Sequence, residues 1–98
     1  MQPSDRNLVM RLGGGDNVAV ALRRLPPGTR LDALGLVLAD EIPMGHKVAL
    51  CPIGEGSKII KFGVPIGSAT REIAPGELVH VHNIKSDYVV NDVDHFED

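Results

Sequence analysis

Two histidines two residues apart, His80 and His82, with Asn83 directly after them, are the side chains of this 98-residue chain best suited to chemistry. They lie in Glu77-Leu78-Val79-His80-Val81-His82-Asn83, which opens on the turn pair Pro75-Gly76 and then alternates. Period-two alternation predicts a β-strand with unlike faces. Both imidazoles would leave one face, about 6.5–7 Å apart at Cα, beside an amide that donates and accepts. Such a set suits a metal, an anion or a substrate carboxylate. The same spacing fits two histidines standing in water, and two ligands are one short of the usual three-protein-ligand catalytic site. His46, directly after Gly45, is a third imidazole. If it converged on the pair, three neutral rings would suit a divalent transition metal; the other reading is a surface residue of a turn. His95 lies in an acidic tail and is given no role.

Lys47, Lys58 and Lys61 form a basic set. Lys58 and Lys61 have opposite parity, so a strand splits them, and one of them could meet a carboxylate as a point charge. Other chemistries find little support. Gly54-Glu55-Gly56-Ser57-Lys58 lacks the order of a phosphate loop, and Gly13-Gly14-Gly15 lacks the spacing of a nucleotide fingerprint. No Ser-His-Asp order stands out, and no carboxylate pair is placed for acid–base work. Cys51, the single cysteine, follows the apolar Val48-Ala49-Leu50 and reads as a buried small hydrophobe rather than a nucleophile.

The elements that must carry these residues are short. An aliphatic residue, two variable residues, Gly, two more residues and an apolar one recur four times, at Leu25–Leu31, Ile42–Val48, Ile53–Ile59 and Ile73–Val79. Gly takes the positive φ the turn needs, and Pro fixes a neighbouring dihedral. The leading aliphatic can plug the space beneath each turn. The copies start 17, 11 and 20 residues apart, too unevenly for a solenoid. Strands are expected at 7–12, 18–22, 34–39, 46–51, 57–62 and 78–84, with 62–67 a tight Gly-Pro segment, 68–73 a helical turn or an edge strand, and Tyr88-Val89-Val90 a further edge strand or a partner contact.

Composition agrees. Gly and Pro number 18 together, and the aromatics are Phe62, Tyr88 and Phe96 only, so an aliphatic core between many tight turns is expected. The expectation is one domain over 1–98, with 1–5 and about 87–98 as loose or partner-docking termini. The net charge of −3 divides into 0 over residues 1–41, +2 over 42–85 and −5 over 86–98. A mildly basic middle with almost no aromatics to stack on bases argues against nucleic acid. No stretch reaches the length of a membrane span. With no apolar leader and no possible internal disulfide, the chain reads as cytoplasmic.

Three segments in order, Gly45-His46-Lys47-Val48-Ala49-Leu50, Ile59 to Gly67, and Gly76 to Asn83, resemble the SAF domain of the altronate/galactarate dehydratase family. The resemblance runs from about Asn17 to Lys85, with Phe62 where the family usually has Tyr. It implies a mainly β fold similar to the β-clip of type III antifreeze proteins, with short strands, tight turns and little helix. It also implies a small subunit working beside a large catalytic chain in a lyase that dehydrates sugar acids such as altronate or galactarate. The metal implied is divalent, typically iron, bound in the assembled enzyme and not necessarily by this chain. The resemblance extends to the small subunit of sulfolactate sulfo-lyase, and SAF-like domains elsewhere act as non-catalytic binding modules. Both lyase reactions are β-eliminations next to a carboxylate. His46, Lys47, Lys61 and Asn83 are the expected cleft-lining residues, and His80 and His82 the expected metal ligands. No residue is assigned a catalytic step. The expected partners are the large subunit and a small sugar acid, with a homo-oligomer left open.

Overall fold

The computed structural model describes residues 7–87. It is mainly β, as expected. Strands β1 (Val9–Met10), β2 (Val18–Ala21), β5 (Lys47–Ala49) and β8 (Leu78–Val79) form a central antiparallel sheet in the order β1-β2-β5-β8. Strands β3 (Arg30–Leu31) and β4 (Leu36–Val37) pair around a 3₁₀ turn at Asp32–Leu34, and β6 (Lys58–Lys61), β7 (Val64–Ala69) and β9 (Ile84–Lys85) form a third sheet in the order β6-β7-β9.

The four-copy turn pattern is the frame of this architecture. Gly28, Gly45, Gly56 and Gly76 all have φ between 83° and 89°. Each turn closes with the backbone N–H of the next residue donating to a carbonyl three residues back: Thr29 to Pro26, His46 to Pro43, Ser57 to Gly54 and Glu77 to Ala74. The aliphatic residues that lead the copies pair two by two. Leu25 and Ile42 exchange backbone bonds of 2.9 and 2.8 Å, and so do Ile53 and Ile73. All four side chains are buried.

Those two pairs mark two cores, one on each face of the central sheet. The rows Val9–Ala21 and Ala19–Val48–Leu78 face the first core, with Leu25, Leu31, Leu36, Leu38 and Ile42. The alternate row Val18–Ala49, together with Val79, faces the second, with Ile53, Ile59, Ala69 and Ile73. Val20 and Lys47 pair across the second face, and Met10 continues their row to the sheet edge. There the covering third sheet gives out: Val20 is only partly buried and Met10 is exposed.

Three expectations need correction. Residues 64–69 are a full strand, β7, because a bulge opposite Ile59 and Ile60 accommodates Pro65, which has no N–H to give a ladder. Cys51 is exposed, not buried, because β5 stops at Ala49 and the chain bends away toward Pro52. The strand expected over 78–84 ends at Val79 and resumes as β9 only at Ile84. The expectations for 1–5, for Tyr88-Val89-Val90 and for His95 lie outside the described residues, as does nearly all of the acidic end. Among the described residues no helix is long and apolar enough to cross a membrane.

The turn geometry can be tested at two of its glycines. A Cβ on Gly76 would run into the Val37 carbonyl oxygen, whereas one on Gly28 would meet open space at nearly the same φ. Gly28→Ala should cost about 1–2 kcal/mol, the strain of an L-residue in the left-handed region. Gly76→Ala adds a backbone clash and should cost roughly 2–4 kcal/mol. Urea unfolding of the two variants checks the difference, and equal costs would contradict the packing of the fourth turn against β4.

Candidate functional site

The site is built from residues that leave the turns. Gly45 closes the second turn; His46 follows, its N–H donating to the Pro43 carbonyl at 3.0 Å, and Lys47 opens β5. Lys47 pairs directly with Val79, and His80 comes next as β8 ends. The sheet register therefore brings His46 and His80 together, with ring centroids 4.6 Å apart and planes tilted by 45°. His46 Nδ1 lies 3.4 Å from the Met44 carbonyl.

Asn83 explains why the strand stops at Val79. Its Oδ1 accepts from the His80 N–H, and its Nδ2 donates to the Leu78 carbonyl, each at 2.9 Å. The side chain takes the backbone groups that a further strand residue would have used, and so competes with the ladder. The main chain turns instead, with the Asn83 and Ile84 N–H groups both donating to the His80 carbonyl. Val81, which period-two alternation places with Val79, is 80 % exposed. Asn83 is 1 % exposed, so it shapes the turn and does not line a cleft.

The two motif histidines thus part company. His80 stacks on His46, while exposed His82 lines a separate cleft of about 400 Å³ with Asp40, Arg71, Glu72 and Glu77. Asp40 holds that region by accepting from the Leu78 N–H at 2.9 Å. Another cleft, of about 420 Å³, lies between the third and fourth turns and contains no histidine. Among the described residues no three His, Cys, Asp or Glu side chains come together as a metal set. The imidazoles of the described residues do not by themselves fit a metal centre.

Lysine completes the cluster. Lys47 is half-buried, and burial, then the nearby Lys61 charge, hold its ammonium below the usual lysine range. Lys61 lies 5.6 Å over the Phe62 ring. Lys58 is split away as parity predicts: it pairs with Asp87 at 2.6 Å, and that carboxylate also accepts from the Ser68 hydroxyl at 2.8 Å. Within the described residues no carboxylate forms an ion pair with Lys47 or Lys61. Burial first, then His46, Lys47 and His82, hold His80 below the usual imidazole range. The result is a basic cluster of His46, Lys47, Lys61 and His80 in which no carboxylate among the described residues pairs with either lysine.

One buried carboxylate has no counterpart among the residues the sequence singles out. Asp16 is 6 % exposed. Its carboxylate accepts four backbone N–H bonds: from Leu12 and Gly13 at 3.3 Å, Phe62 at 2.9 Å and Gly63 at 2.7 Å. Phe62 and Gly63 both have positive φ, at 55° and 78°, so they form the two-residue turn of the β6–β7 hairpin. Their N–H groups converge as a small anion-binding nest. Asp16 offsets the strain of a left-handed Phe and fixes the residue just before it, Lys61, beside Lys47. Asn17 helps, its amide donating to the Lys58 carbonyl and accepting from the Ile60 N–H. Asp after a Gly triplet is a turn signal, but partners 46 and 47 residues away leave no local trace.

Comparison with known proteins bears out the resemblance carried by the three motifs. The model of the altronate/galactarate dehydratase SAF domain matches residues 7–87. An altronate dehydratase of Bacillus subtilis (strain 168) is 48 % identical over 73 residues, which are 72 % of this chain and 15 % of that protein. An altronate dehydratase of Escherichia coli (strain K12) is 42 % identical over 83 residues, 83 % of this chain and 16 % of that protein. A (2R)-sulfolactate sulfo-lyase subunit alpha of Chromohalobacter salexigens is 47 % identical over 47 residues, 48 % of this chain and 50 % of that subunit. The chain thus spans about one-sixth of the two dehydratases and half of the sulfo-lyase subunit.

Two outcomes follow for titration. Burial raises the Asp16 carboxyl, but its four backbone N–H bonds outweigh this and hold it below the usual range. Such a group stabilises the fold above its unfolded pKa of about 3.9, and that stability is lost as pH falls through the folded value. Asp16→Asn should remove this acid dependence and speed hydrogen exchange at the Phe62 and Gly63 amides; unchanged exchange would refute the pinning. The depressed His80 imidazole costs the fold stability as pH drops below about 6.5. Its NMR titration midpoint should lie below that value and move up in Lys47→Met. A wild-type midpoint above it would contradict the cluster geometry.

Proposed function

The chain belongs to the altronate/galactarate dehydratase SAF domain family, and we propose on that footing that it is the small component of a sugar-acid dehydratase, completing a site whose larger part is another, catalytic polypeptide. The observation that carries this reading is the cluster of two lysines, Lys47 and Lys61, with the imidazoles of His46 and His80, four groups within the matched segment with no carboxylate paired to the lysines among the described residues. A 2-hydroxy acid carries the missing charge. In a β-elimination, removal of the proton next to the carboxylate drives negative charge onto the carboxylate oxygens before the β-hydroxyl leaves as water. Fixed cations at those oxygens stabilise that charge as it develops. Lys47 and Lys61 would hold the carboxylate, and the His46–His80 pair would orient it through ring N–H groups. We assign proton abstraction to the catalytic polypeptide, and the divalent metal with it, since three donors do not converge in the described part of this chain.

A second reading rests on the sulfo-lyase relative. There the matched segment lies on a named alpha subunit, which supports the domain acting as a separate subunit and offers sulfolactate, also a 2-hydroxy acid anion, as the alternative substrate. A purely accessory binding module is the third reading.

The purified chain alone should turn over none of altronate, galactarate and sulfolactate. Mixed with the large dehydratase-type chain of the same genome it should support turnover of one of them. His46→Ala/His80→Ala should then lower kcat/KM by about 10²-fold or more, the size seen when a transition-state charge loses a preorganised donor. An unchanged kcat with a raised KM would favour the accessory module, and turnover by the isolated chain would overturn the two-component reading.

A further inference from the structure

The central sheet ends at β1 among the described residues, and beside it stands the tip of the β6–β7 hairpin. Three large apolar side chains are exposed there: Met10 at 41 %, Leu12 at 71 % and Val64 at 53 %. Leu12 and Val64 are 52 residues apart in sequence, yet one carboxylate holds their turns together. Asp16 accepts from the N–H groups of Leu12 and Gly13 on one side and of Phe62 and Gly63 on the other. The two turns are so close that a Cβ on Gly13 would sit 3.3 Å from the Gly63 nitrogen. Exposed apolar groups on a backbone fixed this tightly are preorganised for contact, and binding to them costs little ordering entropy.

Strand pairing ties this apolar edge to the basic cluster. Met10 shares a row with Val20 and Lys47 across the sheet, and Val64 pairs with Lys61. The occupant must therefore offer apolar surface at the rim and enclose an anion at the centre. Exposed apolar side chains beside a half-buried lysine that no described carboxylate pairs with make a poor surface to leave in water.

We propose that the face formed by β1, the Asp16-pinned turns and the hairpin tip is the docking surface for the dehydratase-type catalytic polypeptide, which would close over His46, Lys47, Lys61 and His80. The inference deepens the proposed function and rests on it. In the two altronate dehydratases the matched segment is only 15 and 16 % of the protein, so most of the polypeptide is there to cover one of its faces. Charge complementarity picks this one, because the anion bound at its centre closes the contact electrostatically and fixes its register. Val37, 58 % exposed on β4 in the separate two-stranded sheet, carries no such cluster and serves as the control position.

The test is sedimentation velocity and calorimetry of the full chain with a large dehydratase-type catalytic chain. Leu12→Asp/Val64→Asp should weaken the complex at least tenfold, while Val37→Asp should bind as the wild type does. Circular dichroism melts check folding, and Leu12→Ser/Val64→Thr replaces the double Asp variant if that one unfolds. Equal affinity of wild type and either double variant would overturn this docking face. So would a wild-type chain that ignores the large chain and forms a dimer that Leu12→Asp/Val64→Asp dissociates, since the face would then serve a second copy. Failure of the dehydratase reading looks different: the complex forms and depends on Leu12 and Val64, but turns over none of the three acids.

Discussion

The fold depends on two reciprocal backbone pairings, Leu25 with Ile42 and Ile53 with Ile73. Most strands here are two to four residues long, too short for ladder hydrogen bonds alone to fix a register. Each pairing locks two turns together and drives two branched side chains into the centre of one core. At about 25 cal/mol per Å² of apolar surface, such fully buried aliphatics are the main favourable term available to a chain with almost no aromatics. The turns must present these residues at a fixed angle, and that is why glycine in the left-handed region recurs after each of them.

The position of the site follows from this frame. A sheet with a core on both faces has few places where a polar side chain can start from buried backbone and still reach water. Lys47 stands at one, in the row that passes from Val79 under the second core toward exposed Met10. His46 and His80 stand beside it because each is the residue adjoining a paired position on β5 or β8. Like charges and half-burial both work against such a cluster, and a flexible support would let it spread apart. Short strands with pinned turns do not allow that, so the rigidity of the frame is what keeps His80 and Lys47 in an unfavourable protonation environment.

Much of this was legible in the sequence because it is local. The Gly-centred turns, the plugs before them and most strand positions follow from residue types within seven-residue windows, and they are where the structure puts them. His46, Lys47 and Lys61, expected to line a cleft, lie near one another beside His80, and the parity of Lys58 against Lys61 accounts for their separation. What misled was alternation in Val79-His80-Val81-His82. Period two reports a strand only when nothing else claims the backbone, and the Asn83 amide claims it here. Asp16 was illegible for the opposite reason. Its type signals a turn, but its function is set by amides more than 45 residues away, and no local pattern encodes a long-range partner.

Two places among the described residues that attract negative charge differ in how they are filled. At the hairpin tip the nest of Phe62 and Gly63 N–H groups is filled from within by Asp16, buried and fully engaged. That anion is structural, and its geometry leaves no room for a ligand. At the cluster of His46, Lys47, Lys61 and His80 the described residues supply no counterpart, although Asp40, Glu72 and Glu77 gather not far off in the cleft of His82. The fold thus answers one anion-attracting site with a buried carboxylate of its own, and keeps the lysines of the other without a carboxylate partner among the described residues. Asp16, by holding the Phe62 and Gly63 N–H groups, also fixes the position of Lys61 just before them.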